Sequence, residues 1–178
     1  MARSTTVSYT HLDVYKRQTG SKEATIIQGD ARDFLADSVD RYGLICAFDV
    51  IEHFRKDEII PFLEIIHQAL QPGGRLILQT PNAESPLVGS VAYADFSHEW
   101  FFTPDGLEHV LRLVGFEGYQ ARESGPNIHG IKSLIRYGLW RLISLGLAIW
   151  NLAEMGAAGS GVYSRVFVAT VVKEARSA

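Results

Sequence analysis

Three side chains that can bind a metal or move a proton follow one apolar stretch of the sequence. Asp49, Glu52 and His53 come directly after the run Leu44 to Phe48. An apolar run of this length, followed at once by polar residues, is typical of a strand buried in a parallel sheet. Ligands bind at the carboxyl ends of such strands in open α/β sheets. The sequence therefore predicts a buried strand with a functional site at its end.

These residue types support two kinds of chemistry. Two carboxylates and an imidazole can bind a divalent cation, and oxygen-rich ligation with one imidazole favours Mg²⁺ or Mn²⁺ over structural zinc. Without a metal, His53 suits a general base because its unperturbed pKa is near neutrality, and an acidic neighbour can orient the start of the next helix. Both interpretations stay open, and Glu52 and His53 are the candidate catalytic residues.

Strand and helix patterns alternate along the chain. Such alternation predicts an α/β fold with a parallel sheet and right-handed crossovers. Helix ends are marked by Gln71-Pro72-Gly73-Gly74, by Thr103 as an N-cap with Pro104 behind it, and by Gly115. The predicted strands are Ala24 to Gln28, Leu44 to Phe48, Arg75 to Thr80, Phe116 to Ala121 at the sheet margin, and Ser164 to Lys173; the predicted helices are Arg32 to Ser38, Asp57 to Leu70 and Thr103 to Val114.

Composition and length limit the class of protein. The chain has 178 residues, 47% of them hydrophobic and 21% charged, with a formal net charge of −3. One soluble domain with a sizeable core is expected, and a general nucleic-acid binder is not. The single cysteine, Cys46, lies inside the apolar run. We expect it to be a small buried hydrophobe in a protein without internal disulfides.

Two segments differ from the rest of the chain. Residues 1–18 have no period that would bury a face, and the run Val7 to Gln18 resembles translated adaptor or linker sequence. We expect this arm to be non-native or disordered and residues 19–178 to form a partial domain. Residues 131–155 are mostly apolar with interspersed Lys132, Arg136 and Arg141. They predict a helical insertion that contacts a membrane surface, covers the acceptor site or forms a dimer face.

The order of these pieces resembles one known family. A strand followed by GDA, then FDVIEHF, then ALQPGGRLILQTPN, and then a helix followed by GFE is similar to the carboxyl-side two-thirds of a class I S-adenosylmethionine-dependent methyltransferase. The EHF and TPN pieces are most similar to the O-methyltransferases of quinone biosynthesis and to the small-RNA 3′-end ribose methyltransferases. SHEWFFTPDGL is similar to methyltransferases of polysaccharide assembly.

The resemblance implies a Rossmann-like methyltransferase sheet and S-adenosylmethionine as the cofactor. It assigns Gly29, Asp30 and Ala31 to the adenine end of that cofactor, with Asp49 and Val50 beside them. The same resemblance supplies a metal set of Asp49, Glu52, His53 and His98. The family's first strands and its glycine-rich loop are missing from this sequence, so about half of a cofactor site is present.

The resemblance therefore predicts methyl transfer to an oxygen of a small-molecule or saccharide acceptor. We expect a cytoplasmic enzyme, with membrane association as one of the three alternatives for residues 131–155. The alternative is a non-catalytic α/β binding or scaffold domain, since the cofactor site is incomplete. A narrower alternative is a nucleotide-sugar enzyme built on the same sheet. Aromatic residues between the third strand and the next helix form either an acceptor lid or part of the core: Tyr93, Phe96, Trp100, Phe101 and Phe102.

Overall fold

The computed structural model describes residues 27–175. The helices are α1 (Ala31–Ala36), α2 (Lys56–Ala69), α3 (Gly89–Ala92), α4 (Pro104–Val114) and α5 (Ile131–Met155), and the strands are β1 (Tyr42–Phe48), β2 (Leu70–Pro81), β3 (Phe116–Glu123) and β4 (Val166–Lys173). The predicted arm 1–18 and most of the predicted strand Ala24 to Gln28 lie outside the described residues. Ile27 and Gln28, which are described, are not in a strand.

The strands form one four-stranded sheet in the order β1-β2-β4-β3. Strand β1 runs parallel to β2, whereas β4 pairs antiparallel with both β2 and β3. The predicted α/β architecture is confirmed, as are the last strand and the marginal position of β3. The carboxyl ends of β1 and β2 consequently lie at the same edge of the sheet.

One face of the sheet carries the described core. The apolar positions of α2 recur at helical spacing, and all five that face the sheet are buried: Ile59, Phe62, Leu63, Ile66 and Ala69. They belong to one cluster with Leu107 and Leu111 of α4 and with alternate residues of β2 and β4. Because side chains alternate along a strand, the same alternation that buries Leu76 and Leu78 turns Ile77 to the other face, where it is only partly buried.

The strand predicted at Leu44 to Phe48 is present in β1, but the prediction that this strand is buried is wrong within the described residues. Leu44 is 54% exposed and Phe48 is 46% exposed, and Cys46 is also exposed rather than buried. The reason is that β1 lies at the edge of the described sheet and pairs only with β2. The apolar composition of a strand predicts that it is buried, but it does not show which part of a protein buries it.

Gln71 to Gly74 were predicted to form a loop that ends the helix, but in the structure they lie inside strand β2. Helix α2 ends at Ala69 and β2 begins immediately, so these residues form an irregularity inside the strand. Gly73 has a φ of +76°, which favours glycine. A Cβ on Gly74 would lie 2.7 Å from the carbonyl oxygen of Gln71. Both glycines are therefore required by the backbone of a bulge.

Both predicted ends of α4 are confirmed. The Thr103 side chain accepts a hydrogen bond from the backbone N–H of Gly106, and Pro104 is the first helical residue. Gly115 ends the helix in the left-handed conformation, with a φ of +101°. The helix follows residues 82–103, which we call the aromatic loop, so its first turn determines where that loop ends.

Replacement of Thr103 by alanine is expected to lower the free energy of unfolding by about 1 kcal/mol, because one backbone N–H at the helix start loses its partner. Urea denaturation of the two proteins measures the difference. Thr103→Ser keeps the hydroxyl and serves as the matched control. If the serine variant loses as much stability as the alanine variant, the capping hydrogen bond is not the cause.

Residues 131–155, predicted to be helical, form the 25-residue helix α5. Ser144 is the only buried residue along it. None of the helices within residues 27–175 combines the length and the apolarity that crossing a bilayer requires.

Candidate active site at the end of strand β1

Three of the predicted site residues converge where β1 ends. A single turn of 3-10 helix, Ile51–His53, follows the strand and presents Glu52 and His53. His98 reaches the same place from the aromatic loop. One ligand atom of each of these three side chains lies within 4.8 Å of the others. This spacing allows all three to contact one bound atom.

The Glu52 carboxyl is held out of water. The residue is 1% exposed, and its Oε2 accepts a hydrogen bond of 3.2 Å from the Thr80 hydroxyl of β2. Burial raises the pKa of Glu52 to about 7, and the negative charge of Asp49 adds to the effect. A carboxyl with this pKa exchanges its proton near neutral pH, as groups at functional sites commonly do.

The backbone of Glu52 also positions the aromatic loop. Its carbonyl oxygen accepts hydrogen bonds from the N–H groups of Glu99, at 2.7 Å, and Trp100, at 3.2 Å. His98 directly precedes these two donors. The short turn after β1 therefore places its own side chains and also brings His98 to them.

A chain of hydrogen bonds orients His53. The Ser97 hydroxyl donates to Oδ1 of Asp95 at 2.7 Å, so its single hydrogen is engaged there. His53 Nδ1 lies 3.0 Å from this hydroxyl oxygen and 3.3 Å from the Ser97 carbonyl oxygen. Because both oxygens must accept, the network assigns a hydrogen to Nδ1 and leaves the lone pair on Nε2.

His98 has the same tautomer for the same reason. Its Nδ1 lies 3.1 Å from the carbonyl oxygen of Ala92, which can only accept. The two imidazole rings are 4.8 Å apart. Histidines that bind metals are typically oriented by a hydrogen bond from the second ring nitrogen to an oxygen. The arrangement thus suits metal ligation as well as proton transfer.

Asp49 is not part of the converging group. Its carboxylate accepts hydrogen bonds from the Gln79 amide at 3.1 and 3.2 Å. Its φ of +54° is uncommon for a residue other than glycine. Strained backbone of this kind clusters at functional sites. Val50, the next residue, is half-buried.

Asp30 caps α1, with Gly29 before it and Ala31 as the first helical residue. Its Oδ1 accepts from the backbone N–H of Arg32, and the Arg32 guanidinium binds both carboxylate oxygens. The pKa of Asp30 is lowered by these hydrogen bonds to Arg32. Arg32 also contacts Glu58 at 3.1 Å and lies over the Phe54 ring at 5.3 Å. This guanidinium therefore joins the Gly29–Ala31 turn to the segment that follows the site.

The aromatic loop is divided between the two predicted roles. Phe102 is buried in the core, whereas Tyr93 and Phe96 are fully open to solvent. Trp100 has an intermediate exposure, and the Lys56 ammonium lies 4.6 Å from the centre of its ring. Phe101 packs its ring edge-on against His98. The end of the loop belongs to the core, and its beginning is free to meet a ligand.

Three residues of the site were missed from the sequence. Asp95 and Ser97 orient His53, and Thr80 binds Glu52. Asp95 and Ser97 stand close to His98 in a polar loop, which is a weak signal, and only the tertiary structure shows what they contact. Asn82 is also important for the framework, since its buried amide donates to the carbonyl oxygens of Val162 and Ser164.

Comparison with solved structures agrees with this fold. An S-adenosylmethionine-dependent methyltransferase from Archaeoglobus fulgidus aligns with a TM-score of 0.62 at 16% identity, over 91% of this chain and 72% of its own. The human N-acetylserotonin methyltransferase in complex with S-adenosylmethionine aligns with a TM-score of 0.54 at 15% identity, over 89% and 36%. A methyltransferase from Thermotoga maritima gives 0.52 at 14% identity, over 77% and 58%.

The fold is therefore that of the Rossmann-like S-adenosylmethionine-dependent methyltransferases. A family model described as a methyltransferase domain matches residues 1–121. The chain belongs to this methyltransferase domain family. Among curated proteins, none matches the sequence significantly.

Proposed function

We propose that the chain carries the acceptor side of an S-adenosylmethionine-dependent methyltransferase that methylates an oxygen of a small-molecule or saccharide acceptor. The observation that carries the proposal is the convergence of Glu52, His53 and His98 at the carboxyl edge of the sheet. Family membership supports methyl transfer in general. The chain spans 58% and 36% of two of the structures it resembles, so the activity of a whole protein is part of the proposal.

The cofactor supplies an electrophilic methyl group on a positively charged sulfur. His53 supplies the base, because its Nδ1–H is fixed by Ser97 and its Nε2 lone pair is free to accept the proton of the acceptor hydroxyl. With the cofactor bound, the acceptor oxygen would take the methyl group as it loses that proton to His53, and S-adenosylhomocysteine would be the second product. Tyr93 and Phe96, exposed on the same loop, would contact the body of the acceptor.

A divalent cation at Glu52, His53 and His98 is the second way in which this site could lower the pKa of the acceptor hydroxyl. Two imidazoles and one carboxylate favour Mn²⁺ over Mg²⁺, which prefers oxygen ligands. The sequence-based metal set included Asp49. The hydrogen bonds of its carboxylate to Gln79 argue for the smaller set of three.

The adenine end of the cofactor would lie at Gly29, Asp30 and Ala31, with Asp49 and Val50 next to it. The Asp30 carboxylate carries the charge needed to accept a hydrogen bond from the adenine amino group. One specific observation favours the alternative of a non-catalytic binding domain: Arg32 already binds both oxygens of Asp30. Adenine must then share or displace this guanidinium.

Calorimetric titration with S-adenosylmethionine tests the proposal. We expect saturable binding by the wild-type chain and an affinity about tenfold lower in Asp30→Ala, as for one lost charged hydrogen bond. Asp33→Ala removes an exposed acid from the same helix and is the matched control. A folded chain that binds no S-adenosylmethionine would contradict the proposal, and binding of a titrated nucleotide-sugar instead would favour the nucleotide-sugar enzyme.

The cytoplasmic location stays a prediction.

A further inference from the structure

The polar and apolar sides of helix α5 are reversed relative to an ordinary amphipathic helix, which packs its apolar side against the protein. Its least exposed positions recur at helical spacing and are mostly polar or small: Ser133, Trp140, Ser144, Leu147, Ala148 and Asn151. The Trp140 indole N–H donates to Oε2 of Glu123 on β3 at 2.9 Å, and the Asn151 amide lies against Gly159. The helix thus contacts the rest of the protein through its polar side.

The opposite side of α5 is a continuous apolar face that points away from the sheet. We call it the outer face, and its residues are each between 53% and 79% exposed: Ile131, Leu134, Ile135, Leu142, Leu145, Ile149 and Leu152. With about 1.5 Å of rise per residue, the face extends for roughly 32 Å. An exposed apolar surface of this extent usually marks an interaction site.

Charge distinguishes between the candidate occupants of the outer face. Lys132, Arg136 and Arg141 are exposed cations on the same helix, whereas Glu154 is the only acid on it and already accepts from Trp150. A second copy of the helix would offer only one acid, Glu154, to these three cations. An anionic lipid surface would instead attract all three while the apolar side chains enter the acyl region. The excess of cations is local, since the whole chain has a net charge of −3.

We propose that α5 binds the protein to the surface of a membrane that contains anionic lipids, with the outer face inserted between the lipid headgroups. The three cations would lie at the level of the phosphates. Trp150, which is 67% exposed near the end of the helix, would lie at the interface, where tryptophan is favoured. This proposal is independent of methyl transfer.

Co-sedimentation of the full chain with vesicles tests it. We expect binding to phosphatidylcholine vesicles that contain phosphatidylglycerol, weaker binding to phosphatidylcholine alone, and a loss of affinity as salt is raised. The triple variant Lys132→Gln, Arg136→Gln, Arg141→Gln should lose about fivefold in affinity per cation, or on the order of 100-fold in total. Leu142→Glu places a charge on the outer face and should abolish binding to both kinds of vesicle.

Leu113→Glu is the matched control, because Leu113 is 77% exposed on α4 and lies outside the outer face. Circular dichroism establishes that each variant is folded. If wild type and Leu142→Glu bind vesicles equally, or if neither binds, the proposal is wrong. A dimer in sedimentation equilibrium that Leu142→Glu dissociates, without vesicle binding by wild type, would identify a second copy as the occupant and would also overturn it.

Discussion

Replacement of His53 by glutamine is expected to reduce kcat for methyl transfer by about 10²- to 10⁴-fold, the usual contribution of a positioned general base. Glutamine can still donate a hydrogen bond toward Ser97, but its amide cannot accept a proton. The affinity for S-adenosylmethionine should not change, since His53 belongs to the acceptor side of the site. Release of S-adenosylhomocysteine in the presence of catechol and simple glycoside acceptors measures the rate.

His109→Gln is the matched control, since His109 is exposed on α4 and away from the cluster. Ser97→Ala should give a smaller loss than His53→Gln, because the Ser97 carbonyl oxygen still accepts from Nδ1. A His53→Gln enzyme as fast as wild type would eliminate His53 as the base. A chelator separates the two mechanisms, since it stops a metal-dependent reaction and leaves a reaction with His53 as the base unchanged.

The local features of this site were predictable because short-range patterns determine them. The helical spacing of apolar residues in Asp57 to Leu70 predicted α2 and its buried face, and Thr103 and Gly115 predicted the ends of α4. The position of Glu52 and His53 followed from a simpler rule, namely that polar residues after a parallel strand lie at the edge where ligands bind.

Long-range contacts account for what sequence patterns could not supply. The exposure of Cys46 depends on which strands flank β1, and pairing partners are not encoded in the apolar run itself. The role of Asp95 depends on a loop without any period, whose end is attached to the Glu52 carbonyl by two backbone hydrogen bonds. The mostly apolar run with interspersed cations predicted the helix α5, but only the contacts of α5 with Glu123 and Gly159 show which face points outward.

Replacement of Glu52 by glutamine is expected to make the protein more stable at pH 8 and to remove a pH dependence that the wild type has. The pKa of Glu52 is raised from 4.5 to about 7 in the folded protein. Between these two values the folded state retains a proton that the unfolded chain has released. The free energy of unfolding therefore falls as the pH rises through this window, by up to about 3 kcal/mol.

Glutamine has the shape of the protonated carboxyl group and can still accept from Thr80, so the variant should keep its stability from pH 5 to pH 8. Urea denaturation at the two pH values measures the effect. Glu64→Gln, an exposed site on α2, is the matched control and should follow the wild type. If Glu52→Gln loses as much stability as wild type between the two pH values, the Glu52 carboxyl is not the group that titrates.

The same experiment distinguishes the two proposed forms of the site. A divalent cation bound at Glu52, His53 and His98 requires the ionised carboxylate, so it offsets the penalty of burying that charge. Mn²⁺ at a hundredfold excess over its dissociation constant would then stabilise the wild type at pH 8 by about 2.7 kcal/mol, and Glu52→Gln much less. Equal stabilisation of both proteins, or of neither, would leave His53 as the base of a metal-free site.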